Sequence, residues 1–221
     1  MIVDERIITF INSLDTKNSE ILEDIEREAL ADNVPIIRRE MQSFLKVLLM
    51  VKKPMRVLEV GTAVGCSALL MSEYVPEECA ITTIENYEKR IPIARQNFVR
   101  AGKEKKITLL EGDAMDVLKT LEGPYDFIFM DAAKGQYIHY LPEILRLLAK
   151  GGILVSDNVM QDGDVIESRF AVERRDRTIH ARMREYLYEL KHNDALVTSI
   201  IPLGDGVALS VKKEVGTDIA Q

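Results

Sequence analysis

Cysteine is nearly absent from this chain, with Cys66 and Cys79 its only two. Two such residues form neither a disulfide framework nor a metal-ligand spacing, which points to a reducing compartment. Histidine is almost as scarce, and His139, His180 and His192 stand too far apart in sequence to read as ligands. No apolar run approaches the length of a membrane span, and the opening MIVDERIITF is too acidic and too patterned for a signal peptide. A cytoplasmic protein without membrane association is the expectation. Repeats, low-complexity tracts and linkers are missing as well. So is an excess of positive charge: the net charge of −7 argues against wholesale electrostatic binding to nucleic acid and leaves open only a local basic patch.

What the chain does have is apolar content, 47% of 221 residues, enough for one sizeable core. A single domain over 1–221 is the default at this length. Segments 4–14 and 18–31 carry helical spacing, with Ile21, Leu22, Ile25 and Leu30 as the expected buried stripe. Pro35 interrupts the pattern, and a third helix is expected over 38–50, ahead of Pro54. This N-terminal helical cap (1–53) leads into a core (54–213). There, strands at 55–60, 80–84, 106–110, 125–130 and 151–156 alternate with amphipathic segments. That rhythm predicts an α/β fold with a doubly wound parallel sheet. The end departs from it. A basic helix at about 171–192 precedes strands at 196–201 and 206–211, joined by the turn Gly204-Asp205-Gly206. Strands around so short a turn must be antiparallel, so a C-terminal hairpin should complete a seven-stranded, mostly parallel sheet.

Chemistry concentrates where the strands end. The stretch RVLEVGTAVGCS (56–67) reads as a buried strand that ends on Glu59 and turns on Gly61 and Gly65 before a helix opens at Ser67. A glycine there lets a ligand approach the backbone closely. The spacing E-x-G-x-x-x-G differs from the dinucleotide fingerprint G-x-G-x-x-G, and an acid beside the first glycine suits a cationic amino group better than phosphates. Further acids follow successive strands: Glu85, then Asp113 after Glu111 and Gly112, then Asp131, then Asp157 with Asn158. Any one of them could be a helix cap or loop acid; together they mark the ligand-binding edge of an open α/β sheet. Glu85 lies 24 residues beyond Gly61, close to where a ribose-binding acid falls. Asp131, Asp157 and Asn158 offer three hard oxygen donors, a set suited to Mg²⁺, Ca²⁺ or Mn²⁺ rather than zinc. Lys134, in DAAKGQY, would sit beside such a cation and could act as a general base, although alone it reads as a solvated lysine at a helix start.

These motifs resemble the class I S-adenosylmethionine-dependent methyltransferases, specifically the divalent-cation-dependent O-methyltransferases that include the caffeoyl-CoA and catechol enzymes. The resemblance runs from about Val34 to Lys212 through EVGTAVGCS, TIE, EGDA, DAAKGQY, SDN and PLGDGVALS. It implies a Rossmann-like fold with extra N-terminal helices, S-adenosylmethionine as cofactor, Mg²⁺ or another hard divalent cation, and commonly a homodimer. It further implies that Glu59, Gly61 and Ser67 hold the methionine end of the cofactor and Glu85 its ribose. Asp113 and Ala114 would flank the adenine, and Ile37 would close over the cofactor. Asp131, Asp157 and Asn158 match the metal ligands, with Asp131 also near the cofactor, and Lys134 matches the base that takes the acceptor proton. One departure is plain: plant members usually read D-A-D-K where this chain has Asp131-Ala132-Ala133-Lys134.

Two acceptor classes compete. VPI at 34–36, DAAKGQY, the arginine-rich segment and GDGVALS most resemble bacterial tRNA 5-hydroxyuridine methyltransferases. That branch implies methylation of wobble 5-hydroxyuridine in the tRNA anticodon loop, whose 5-hydroxyl and 4-carbonyl form a catechol-like pair. Arg169, Arg174, Arg175, Arg177, Arg182 and Arg184 would then contact phosphates, although Glu173 and Asp176 could equally pair with them on a solvated face. The alternative is a small catechol or phenolic acceptor in a closed apolar pocket near Tyr137, Met160 and residues 161–170.

Overall fold

The computed structural model describes residues 2–214, so the ends of the expected 1–221 domain lie outside the described residues. Three helices come first: α1 (Glu5–Ser13), α2 (Glu20–Ala31) and α3 (Arg39–Lys52). The sheet strands are β1 (Arg56–Val60), β2 (Ala80–Glu85), β3 (Ile107–Glu111), β4 (Tyr125–Met130), β5 (Leu148–Ser156), β6 (Leu196–Ile201) and β7 (Val207–Lys212). Between them run α4 (Cys66–Glu73), α5 (Ile91–Arg100), α6 (Ala114–Thr120), α7 (Tyr137–Leu147) and α8 (Arg177–His192). The seven strands form one sheet in the order β3-β2-β1-β4-β5-β7-β6. The first five are parallel, and β7 runs antiparallel to both β5 and β6. Because β1 pairs with both β2 and β4, strand order reverses there, and a crevice opens beyond the carboxyl ends of these strands.

Period-two alternation explains the two cores. Val57, Phe127 and Phe129 point to one face, where they pack with α2, α3, α4 and α5. Leu58, Val60, Ile128 and Met130 point to the other, against α6, α7 and α8. All seven are fully buried, and each contributes about 1.5–3 kcal/mol of apolar transfer. Glu59 falls in the register of the first face and is equally buried, a placement that only a functional partner or a hydrogen-bonded niche makes tolerable.

Four sequence expectations shift. On α2 the buried stripe is Leu22, Ile25 and Ala29, while Leu30 is 62% exposed; the 3.6-residue period carries the stripe to position 29. Helix α3 runs on to Lys52 and stops at Lys53, which takes a left-handed conformation just before Pro54. Strand β5 begins at Leu148, earlier than the expected 151. The basic helix starts only at Arg177: residues before it fold into turns closed by Ala171 N–H to Ser168 O and Asp176 N–H to Glu173 O. Among the described residues no helix is long and apolar enough to cross a membrane.

Candidate active site

The pairing register assembles the site. Val60 lies opposite Ile84 on one side and Met130 on the other, and Met130 lies opposite Ser156. The next residues out, Gly61, Glu85, Asp131 and Asp157, therefore emerge together at one edge of the sheet. They line a cavity of about 570 Å³ with Ile37, Ser67, Ala114, Lys134 and Asn158.

At one end of the cavity Glu59 underlies the glycine turn. Its carboxylate accepts from the Thr83 hydroxyl, which is itself linked to Thr62, and among the described residues its buried Oε1 has no partner within full hydrogen-bond geometry. Burial pushes this carboxyl up to about 7, helped by the charges of Asp131 and Glu85 and opposed by the Ser67 and Thr83 hydroxyls. Such a group is stabilised by an incoming cation. Gly61 has φ +105°, and a Cβ there would sit 2.1 Å from the Asp131 carbonyl oxygen, so no other residue fits. Glu85 is held rigidly, its two oxygens accepting from the N–H groups of Ala63, Asn86 and Tyr87. Asp113 caps α6, its carboxylate accepting Met115 N–H at 2.9 Å, and the next residue, Ala114, lines the cavity with Tyr87, Arg90 and Tyr140.

At the other end stand Asp131, Asp157 and Asn158. Asp157 is buried, and Asp131 is partly open to the cavity. Burial raises both carboxyls, that of Asp157 to about 7 with the Asp131 charge as the next cause, while Lys134 opposes the rise in each. Asn158 N–H donates to Asp157 Oδ1 at 2.7 Å, and Asn158 takes φ +54°, a conformation asparagine tolerates well. Among the described residues no three His, Cys, Asp or Glu side chains gather around one metal position. Here the set is two carboxylates and an amide oxygen, a donor chemistry that fits a hard divalent cation, whose charge would offset that of the two neighbouring acids.

Asp205 is the residue that sequence reasoning passed over, having read it only as part of a turn. It is 4% exposed, lines the cavity, and lies 3.6 Å from Lys134 Nζ through Oδ2. Its Oδ1 accepts from Asp162 N–H, and its carbonyl from Met160 N–H. Around the expected acceptor end near Tyr137 and Met160, the described residues give the cavity a polar wall. Tyr137 is fully buried behind the site, Met160 packs on Gly206, and the cavity end beside Lys134 is lined by Arg38, Asp162 and Asp205. Packing of Tyr137 against Tyr186 takes it inward.

Four of the six arginines serve internal contacts. Arg177 donates to Val172 O, Arg182 to Gly135 O and Arg184 to Val165 O, while Arg175 pairs with Glu173 and Asp176. Arg169 and Arg174 are exposed, and Phe170 beside them is 86% exposed.

A parallel sheet closed by an antiparallel hairpin, with acids at the switch point, defines a Rossmann-like methyltransferase fold. The structure of the S-adenosylhomocysteine-bound Podospora anserina methyltransferase PaMTH1 has the same fold at TM-score 0.86, with 27% identity over 95% of each chain. The O-methyltransferase family model matches residues 12–213, and the chain belongs to that family. By family it is an O-methyltransferase, of the type that includes the catechol and caffeoyl-CoA enzymes. It is 33% identical to caffeoyl-CoA O-methyltransferase 2 of Populus trichocarpa over 183 residues, 75% of this chain and 70% of that protein. It is 35% identical to the catechol O-methyltransferase of Niastella koreensis over 128 residues, which span 56% of this chain and 58% of that protein's length.

Proposed function

We propose that this chain transfers the methyl group of S-adenosylmethionine to one of two vicinal oxygens of an acceptor, assisted by a divalent cation at Asp131, Asp157 and Asn158. The observation that carries the reading is the pair of acids Asp131 and Asp157 side by side at the sheet edge, both raised by burial, with Lys134 as the cation facing them. S-adenosylmethionine, when bound, supplies an electrophilic methyl on a sulfonium. Glu59 and Glu85 give the Gly61 end of the cavity the negative charge and fixed acceptors that its amino and ribose groups require. A divalent cation, when bound, supplies Lewis-acid polarisation of the acceptor hydroxyl. Beside a bound divalent cation the Lys134 ammonium would be disfavoured, and as the neutral amine Lys134 would take the hydroxyl proton, while the ends of β4 and β5 would position the acceptor oxygen.

A catechol or related small phenol is the acceptor this reading favours, in keeping with the names of the relatives. Methyl transfer to catechol but not to phenol, which lacks the second oxygen, tests it; equal transfer to both would remove the role of chelation. One observation favours a second reading, an RNA base with a vicinal hydroxyl and carbonyl, such as 5-hydroxyuridine in a tRNA anticodon loop. The polar cavity end at Arg38, Lys134 and Asp205, together with exposed Arg169, Arg174 and Phe170, suits a phosphate-bearing, stackable acceptor better than a greasy one. Nucleoside mass spectrometry of tRNA containing 5-hydroxyuridine tests this reading. Conversion lost in Arg169→Ala/Arg174→Ala supports it, and absent conversion by a preparation active on catechol rejects it.

A further inference from the structure

Behind the two acids lies a hydroxyl with three backbone partners. Tyr137, the first residue of α7, is fully buried. Its Oη lies 3.1 Å from Met130 O and 3.2 Å from Asp157 O, and it accepts from Ala132 N–H at 3.3 Å. A phenol has one proton to give, so the two carbonyls share it while the oxygen lone pair takes the amide. These three groups are not scattered. Met130 precedes Asp131, Ala132 follows it, and Asp157 is the second acid itself.

We propose that Tyr137 is a positioning residue that fixes the separation of the Asp131 and Asp157 turns and thereby sets the affinity of the site for a divalent cation. The inference rests on the metal reading above and adds a determinant that none of the oxygen donors contains. Its physical basis is repulsion. Two acids at the ends of neighbouring strands push each other apart just beyond the last ladder pair, Met130 with Ser156. Asp157 N–H to Met130 O at 2.9 Å and Asp131 N–H to Val60 O at 3.0 Å tie each acid to a strand, and Tyr137 bonds backbone groups at both turns. The ring is held edge-on to Tyr186, with centroids 5.4 Å apart, so the hydroxyl has little freedom to leave. A buried hydrogen-bonded scaffold of this kind orients ligands without touching the ion.

Tyr186 provides the matching comparison. Its hydroxyl is as deeply buried, but its partners are the Ser156 hydroxyl at 2.6 Å and the Met130 sulfur, not the backbone of the two turns. The test is calorimetric titration of Mn²⁺ into the full chain saturated with S-adenosylhomocysteine, for wild type, Tyr137→Phe and Tyr186→Phe. S-adenosylhomocysteine affinity and thermal melting are measured on the same samples. The proposal expects Tyr137→Phe to weaken Mn²⁺ binding about 10- to 100-fold, with S-adenosylhomocysteine affinity kept and Tyr186→Phe close to wild type. Wild-type Mn²⁺ affinity in Tyr137→Phe would overturn it. So would equal weakening in both variants, or a parallel loss of S-adenosylhomocysteine binding, each of which marks a general packing effect. Failure of the unmutated chain to bind Mn²⁺ would overturn the metal reading itself, and is told apart because it needs no mutation.

Discussion

The Lys134 ammonium lies 3.6 Å from a carboxylate oxygen of Asp205, a buried side chain on the turn that joins the last two strands. The same carboxylate receives Asp162 N–H, so one acid ties the candidate base to the loop at the cavity mouth. Replacing Asp205 by Asn keeps an acceptor for Asp162 and removes the charge that holds Lys134. Steady-state kinetics should show kcat falling about tenfold, the equivalent of one interaction of about 1.4 kcal/mol, with a smaller change in KM. An unchanged kcat would mean that the ion pair does not position the base.

Lys134→Ala should go further. General base catalysis contributes about 10²- to 10⁴-fold, so kcat should drop by that order while S-adenosylhomocysteine affinity, measured by calorimetry, stays put. A loss below this range would leave Lys134 as a solvated loop cation.

The buried acids give stability a definite pH dependence in the ligand-free protein. Glu59, raised from 4.5 to about 7, and Asp157, raised from 3.8 to about 7, bind protons more tightly folded than unfolded. Folded protein therefore holds the extra protons between these values, and stability declines as pH climbs toward and past 7. Glu23 has the opposite sign. Its bond to Arg39 lowers it to about 2, so its contribution is present above 4.5 and is lost as pH falls toward 2. Between pH 5 and 8 the first effect stands alone of these two, and the melting temperature should fall across that window. Glu59→Gln should flatten the slope, and Mg²⁺ at pH 8 should restore part of the loss. A melting temperature that rises over this window would contradict the assignment.

Gly61→Ala should fail for backbone reasons. Its φ of +105° costs about 1–3 kcal/mol for a residue with a side chain, and the added Cβ would lie 2.1 Å from the Asp131 carbonyl oxygen. Urea unfolding should report a loss at or above that range, together with lost S-adenosylhomocysteine binding. A variant as stable as wild type would show that the turn can relax.

Much of this site is readable in the chain because strand ends are. Apolar runs that stop at Glu59, Glu85, Asp131 and Asp157 announce both the sheet and its working edge, and Gly61 announces the tight approach between them. What stays hidden is whatever depends on the direction of a side chain after a turn. Asp113 has the same local signature as the other acids and also caps α6, a use that local sequence does not separate from ligand binding. Asp205 sits in a glycine-flanked turn that normally faces water, and only packing of the hairpin against the loop at Met160 buries it. Tyr137 reads in sequence as a pocket-lining aromatic, whereas its hydroxyl turns inward to the strand ends. The arginines of 169–184 look like one patch in sequence; helical geometry and turns send most of them to carbonyls and acids of their own neighbourhood.

Divalent-cation-dependent methyl transfer to a vicinal-oxygen acceptor is the central claim. The most direct test is mass-spectrometric detection of methylated catechol from S-adenosylmethionine, with chelated protein, with Mg²⁺ restored, and with Asp157→Ala. The account predicts product only in the Mg²⁺-restored wild type. Product formation that survives the chelator, or that survives loss of Asp157, would contradict it.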